Sequence, residues 1–139
     1  MLIQNRARFA ARDSSLKQRE DGMFHILVVE DDKSLRELFC TVLSKNGFVY
    51  HEARDGADAW DVLEKQYIDL IVTDIMMPNM DGFTFVKSLR ENGLNMPVLM
   101  ITAKDTFEDM QSGFYAGTDD YMVKPVNVNE MILRINALL

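Results

Sequence analysis

The chain has 139 residues, enough for one domain with a real core, and its 47% hydrophobic and 27% charged composition is that of a globular protein. The net charge of −7 is uneven: residues 1–22 carry five basic and three acidic side chains, +2, which leaves −9 on residues 23–139. A body this acidic lacks the clustered Lys and Arg that phosphate contacts need, so direct nucleic-acid binding is excluded as its own activity. No apolar run reaches membrane-spanning length, and the single cysteine, Cys40, excludes an internal disulfide and suits a reducing cytoplasm.

Residues 1–22 show neither strand alternation nor a firm helical period. Arg6, Arg8 and Arg12 beside Phe9 hint at a transit peptide, but Asp13, Glu20 and Asp21 argue against one, and no apolar h-region marks a secretory signal. The stretch reads as an artificial or upstream-translated leader, unstructured, with Met23 as the natural start of a domain over 23–139.

From Phe24 strands and helices alternate. Phe24 to Glu30 is a buried strand ending in acids, and Ser34 to Asn46 a helix with Leu35, Leu38, Phe39, Val42 and Leu43 at helical spacing and Gly47 as its stop. Cys40 takes a core-like position on that helix. Phe48 to Ala53 is the second strand, and Asp55-Gly56 opens a second helix running to about Gln66, with Asp55 as its cap. Leu70 to Val72 is a continuous apolar strand that delivers Asp74 where Pro78 and Asp81-Gly82 break the pattern. Asp81 starts a third helix with Phe83, Val86 and Leu89 inward. Pro97 to Thr102 is the fourth strand, Thr106 to Ala116 a helix carrying Phe107, Met110 and Phe114, and Asp120 to Val123 a short fifth strand. Asn127 caps the last helix with Glu130 as its capping-box partner, and Val128, Met131, Ile132, Ile135, Leu138 and Leu139 mark its inner face. His25 and His51, far apart in sequence, do not read as metal ligands.

Five strands alternating with five helices predict an α/β, doubly wound, five-stranded parallel sheet with right-handed crossovers. In the strand order 2-1-3-4-5, the carboxyl ends of strands 1, 3, 4 and 5 bring Glu30, Asp31 and Asp32, then Asp74, Thr102 and Lys124 to one crevice, where such sheets hold ligands. Clustered carboxylates repel and call for a cation, and an oxygen-only donor set favours Mg²⁺, with Mn²⁺ as a substitute. Beside it Asp74 would be a carboxylate nucleophile toward a phosphoryl group. Met76, Met77 and Met80 lack the His or Cys that would make a soft-metal site.

Five segments, Ile26–Asp32, Ala53–Gly56, Asp74–Gly82, Pro97–Ala103 and Gly117–Pro125, stand in an order and spacing that resembles the receiver domain of bacterial two-component response regulators over residues 23–139. The resemblance implies the flavodoxin-like receiver fold and a set of roles. Asp74 is the phosphoacceptor. Asp31, Asp74 and the Met76 carbonyl bind Mg²⁺, with Glu30 acting through water. Thr102 and Tyr121 form the switch pair, Lys124 contacts the phosphoryl group, and the Lys124–Pro125 bond is cis. Met76 and Lys104 flank the path of the hydrolytic water, so autodephosphorylation is slow. The domain is then a signalling phosphoacceptor, not an enzyme acting on other substrates. Its partners are a sensor histidine kinase and, on phosphorylation, a second copy, joined through helix 4, strand 5 and helix 5.

In that dimer Asp120 of one chain meets Arg134 of the other, Glu130 adds charge, and Met110 stands where the subfamily places an Arg. The last helix resembles that of winged-helix transcription factors, which suggests a receiver cut from a longer regulator; a stand-alone receiver acting by protein contact is the alternative. Two other classes fit less well. A haloacid-dehalogenase-type phosphatase needs an Asp where Met76 stands, and a flavodoxin-like electron carrier needs a Ser/Thr-rich phosphate loop where Glu30-Asp31-Asp32 stands.

Overall fold

The structure, a computed structural model, describes residues 22–139. The leader reading of residues 1–22 thus lies, but for Gly22, outside the described residues.

Strands β1 (His25–Val29), β2 (Val49–Ala53), β3 (Leu70–Thr73), β4 (Val98–Thr102) and β5 (Asp120–Val123) form one parallel sheet in the order β2-β1-β3-β4-β5. Helices α1 (Lys33–Lys45), α2 (Gly56–Lys65), α3 (Gly82–Glu91), α4 (Phe107–Ala116) and α5 (Val128–Leu138) connect them. Every residue of β3 and β4 is buried, as their unbroken apolar runs require of strands covered on both faces. The period of two then divides the core. Leu27, Val29, Ile71 and Met100 pack with Leu63 of α2 and Phe85, Val86 and Leu89 of α3. Ile26, Val28, Val72, Leu99 and Ile101 pack with Phe39 and Leu43 of α1 and with Met131 and Ile135 of α5.

Each helix begins at a side-chain cap, which answers part of the orphan-donor problem of a helix start. Asp55, Asp81 and Asn127 do so as their spacing predicts. Ser34 does not start α1: Asp32 caps it, accepting from the Leu35 N–H at 3.0 Å. One of the three strand-end acids is therefore spent on a helix. The capping box of α5 is half made, because the Glu130 carboxylate turns to Arg134 at 3.0 Å rather than back to its cap.

Several apolar positions differ from the simple helical reading. Phe85, not Phe83, is the fully buried phenylalanine of α3, and Leu38 is exposed on α1. In α4 Phe107 and Phe114 are largely exposed, and only Gly113 is buried. The reason is close approach: a Cβ on Gly113 would stand 3.1 Å from the Tyr121 ring, so α4 meets the sheet through its glycine and carries its aromatics outside. Cys40 is buried as expected, and burial, with Glu52 nearby, pushes its thiol up to about 12, so it stays protonated and unreactive at neutral pH.

Two contacts had no warning in the sequence. Arg90 at the end of α3 donates to the carbonyls of Leu94, Met96 and Gly117 at 2.8–3.1 Å and to Asp119 at 2.9 Å, tying the α3–β4 and α4–β5 connections together. Burial holds its pKa below the usual value. Parallel pairing of β1 with β2 also brings His25 Nδ1 to 2.9 Å from His51 Nε2, despite their separation in sequence.

Candidate functional site

Backbone pairing extends one residue past three of the strands, and this fixes where the site's side chains start. The Glu30 N–H donates to the Ala53 carbonyl at 3.0 Å, the Asp74 N–H to Val29 at 3.2 Å, and the Lys124 N–H to Thr102 at 2.8 Å. Glu30, Asp74, Thr102 and Lys124 therefore come together at the carboxyl edge of the sheet, around the reversal of strand order between β1 and β3.

The central contact is the Lys124 ammonium, 2.6 Å from Asp74 Oδ2 and 2.9 Å from Glu30 Oε1. Both carboxylates are at least 95% buried. Burial raises the Glu30 carboxyl pKa, against the pull of Lys124, and Asp74 nearby adds to the rise. Burial works against the Lys124 charge, but its bonds to Asp74 and Glu30 outweigh it and hold the ammonium pKa above its ordinary value. The other Asp74 oxygen, Oδ1, accepts from the Ile75 N–H at 2.6 Å and the Met76 N–H at 3.2 Å. One oxygen is thus clamped by backbone and the other faces the Lys124 ammonium.

Thr102 is fully buried at the end of β4, with its hydroxyl 3.4 Å from the Lys104 N–H. On neighbouring β5, Tyr121 is buried with its hydroxyl donating to the Lys104 carbonyl at 2.7 Å. Burial foremost, and then Asp109, Asp74 and Asp105, push this phenol up to about 12, so it remains a donor. Lys124–Pro125 is cis.

The residues present suit a hard divalent cation. Among the described residues no three His, Cys, Asp or Glu side chains converge as a ready ligand set, and the expected set asks for less: two carboxylates, one backbone carbonyl and water. Both Glu30 oxygens are engaged, Oε1 by Lys124 and Oε2 by the Asp32 N–H, which fits a role through water. Asp31 is exposed and makes no hydrogen bond or ion pair among the described residues, so its carboxylate is available.

The profile of the response regulator receiver domain matches residues 26–136. The chain belongs to that family. The response regulator MprA of Mycobacterium sp. (strain KMS) is 40% identical over 114 residues, 82% of this chain and 50% of the relative. This receiver thus spans about half the length of the curated relatives it matches. Among solved structures, the Francisella response regulator 1452 receiver domain is 37% identical, with a TM-score of 0.79 over 82% of this chain and 94% of that one. The Vibrio cholerae chemotaxis protein CheY4 is 32% identical, with a TM-score of 0.81 over 85% and 100%.

Within one chain the residues expected at the interface pair with one another. Arg134 binds Asp120 of its own chain with two bonds of 2.9 and 3.0 Å and Glu130 with two of 3.0 and 3.3 Å. Both carboxylates lie within reach because α5 starts five residues after β5 ends. Asp120 is therefore not waiting for a second chain, and any cross-chain pair must replace a bond already made. Met110 is half-buried against the core rather than presented outward. Among the described residues, no helix is long and apolar enough to cross a membrane.

Proposed function

We propose that this receiver is a Mg²⁺-dependent phosphoacceptor, phosphorylated on Asp74 by a sensor histidine kinase, whose charge state sets the α4–β5–α5 face and through it a transcriptional effector. The observation that carries this reading is the division of labour on Asp74, with Oδ1 held by two backbone N–H groups and Oδ2 facing Lys124. Oδ2 attacks the phosphorus of a phosphohistidine or small acyl phosphate. The new O–P bond forms as the bond to the donor breaks, and the leaving group keeps the electron pair, the imidazole nitrogen of phosphohistidine taking up a proton and an acyl phosphate releasing its carboxylate anion. Lys124 passes its bond from Oδ2 to a phosphoryl oxygen, and the Thr102 hydroxyl takes another. Asp31, Asp74 and the Met76 carbonyl, with Glu30 through water, would hold a Mg²⁺, which when bound would supply positive charge to offset the carboxylates and the incoming phosphoryl group.

Two side chains at the open side of the site, Met76 and Lys104, offer no amide or carboxylate to orient an attacking water. The protein is therefore expected to gain one acid-labile phosphoryl group from acetyl phosphate with Mg²⁺ and none with EDTA, and to keep it for minutes or longer after donor removal. Intact-mass spectrometry checks both. Labelling without a divalent cation, or decay within a few seconds, would contradict the reading.

The length of the relatives favours an effector elsewhere in a longer chain. For output, Thr102 moving toward a phosphoryl group would loosen the packing around Tyr121 and Gly113, and so the seating of α4. The exposed Phe107 and Phe114 and the Asp120–Arg134–Glu130 cluster lie on that face. A phosphorylation-favoured homodimer there is a weak one, since Asp120 and Arg134 exchange one pairing for an equivalent one and rim pairs contribute about 0–1 kcal/mol. Sedimentation with beryllofluoride and Mg²⁺ should show a dimer in the high-micromolar range that Arg134→Glu weakens; a strict monomer would rule this face out as a self-association surface.

A further inference from the structure

We infer that Met76 is a peroxide-sensitive modification site that controls how long the phosphoryl group stays on Asp74; this rests on Asp74 being the phosphoacceptor. Met76 is the most exposed methionine among the described residues, at 61%, whereas Met100, Met122 and Met131 are buried and Met77 and Met80 are half-buried. It is also tied to the reacting group, since its N–H donates to Asp74 Oδ1 at 3.2 Å. The accessible thioether and the buried nucleophile are two residues apart.

The chemistry balances with a hydroperoxide as oxidant. The sulfur lone pair attacks the distal peroxide oxygen, an S–O bond forms as the O–O bond breaks, and hydrogen peroxide leaves as water. The product, methionine sulfoxide, replaces an apolar group by a strong hydrogen-bond acceptor and is reducible by methionine sulfoxide reductases. At the solvent edge of the site the other exposed or half-exposed side chains include Asp31, Asp32, Ala103, Lys104 and Lys124, of which Asp32 caps α1 through Oδ1. Asp31 is the cation's carboxylate in the reading above, and Lys104 has only donors. The sulfoxide oxygen therefore adds a strong acceptor two residues from the nucleophile, able to orient a water toward the phosphorus.

The test is to treat the purified protein with dilute hydrogen peroxide, map the oxidised methionines by peptide mass, then phosphorylate with acetyl phosphate and Mg²⁺ and follow decay. Met76 should be oxidised ahead of Met77 and Met80. The phosphoryl lifetime should shorten by about three- to tenfold, the worth of one orienting contact. A mixture of the two sulfoxide reductases should restore it, and Met76→Leu should show a lifetime that peroxide does not change. Slow oxidation of Met76, an unchanged lifetime after its oxidation, or a Met76→Leu protein that still responds would each overturn the inference. Failure of the untreated protein to label at all would remove the Asp74 reading with it, whereas normal labelling with an oxidation-blind lifetime overturns only the role of Met76.

Discussion

Replacement of Lys124 by Met is expected to lower the stability of the metal-free protein by about 3 kcal/mol at pH 7 and to slow phosphorylation of Asp74 at least about tenfold. Removing one member of a buried ion pair leaves the other charge without compensation, at a typical cost of about 3–5 kcal/mol. Here two buried carboxylates lose their shared ammonium at once. The cost falls at the low end because the pair has an escape: Glu30, already raised in pKa by burial, can take up a proton. Thermal unfolding in EDTA reads this as a drop in Tm of roughly 10 °C for a domain of this size. Millimolar Mg²⁺ should recover much of the loss, since it returns positive charge to the same carboxylates. The phosphorylation defect should persist, because no other side chain among those described reaches Asp74 Oδ2. A Tm within 2 °C of the parent in EDTA would show that the two carboxylates do not depend on Lys124.

Replacement of Gly82 by Ala is expected to be as damaging, for a steric reason. A Cβ at Gly82 would overlap the Asp74 carbonyl oxygen and lie 2.8 Å from Ile75 Cα and 2.9 Å from Asp74 C. All three are backbone atoms of the loop that aims the Asp74 carboxylate, and the Gly82 N–H itself donates to the Ile75 carbonyl at 2.8 Å. No rotamer change can absorb the contact, so the loop or the start of α3 must move. We expect a loss of about 3 kcal/mol, the upper part of the usual overpacking range, together with slowed labelling. Gly56→Ala is the matched control: the Cβ there meets the flexible Met80 side chain at 2.8 Å, so its cost should stay below about 1 kcal/mol. Equal effects from the two substitutions, read by denaturant midpoint, would show that backbone proximity at Gly82 is not what matters.

The contrast between these two residues shows how far the sequence could be read. Alternation of buried strands with capped amphipathic helices was legible because each signal is local: the apolar runs Leu70–Val72 and Val98–Ile101 and the caps Asp55, Asp81 and Asn127 need no knowledge of the rest of the chain. The convergence of Glu30, Asp74, Thr102 and Lys124 was legible too, because the strand order follows from the alternation and each residue stands at a strand's end. What was not legible depends on distances between elements. Gly82 reads as a turn signal, and only the folded chain reveals that it touches the Asp74 backbone. Arg90 carries no sequence signal of its role, yet it binds three carbonyls in other segments. Phe107 and Phe114 share a helical face, but spacing alone does not say whether that face turns toward the sheet. Gly113 against Tyr121 decides it. Likewise Asp120 and Arg134 carry opposite charges on one surface, and charge pattern alone does not say whether they pair within a chain or between two.

The most direct test of phosphotransfer to Asp74 is to locate the phosphoryl group itself. The protein is labelled with acetyl phosphate and Mg²⁺ and reduced with borohydride, which converts an aspartyl phosphate to homoserine. The digest is then sequenced by mass spectrometry. Homoserine is expected at position 74 and at no other aspartate, and Asp74→Asn should keep the fold by circular dichroism while losing the signal. Homoserine at Asp31 or Asp32 in the parent protein, or an Asp74→Asn protein labelled to the same extent, would contradict the assignment of Asp74 as the nucleophile.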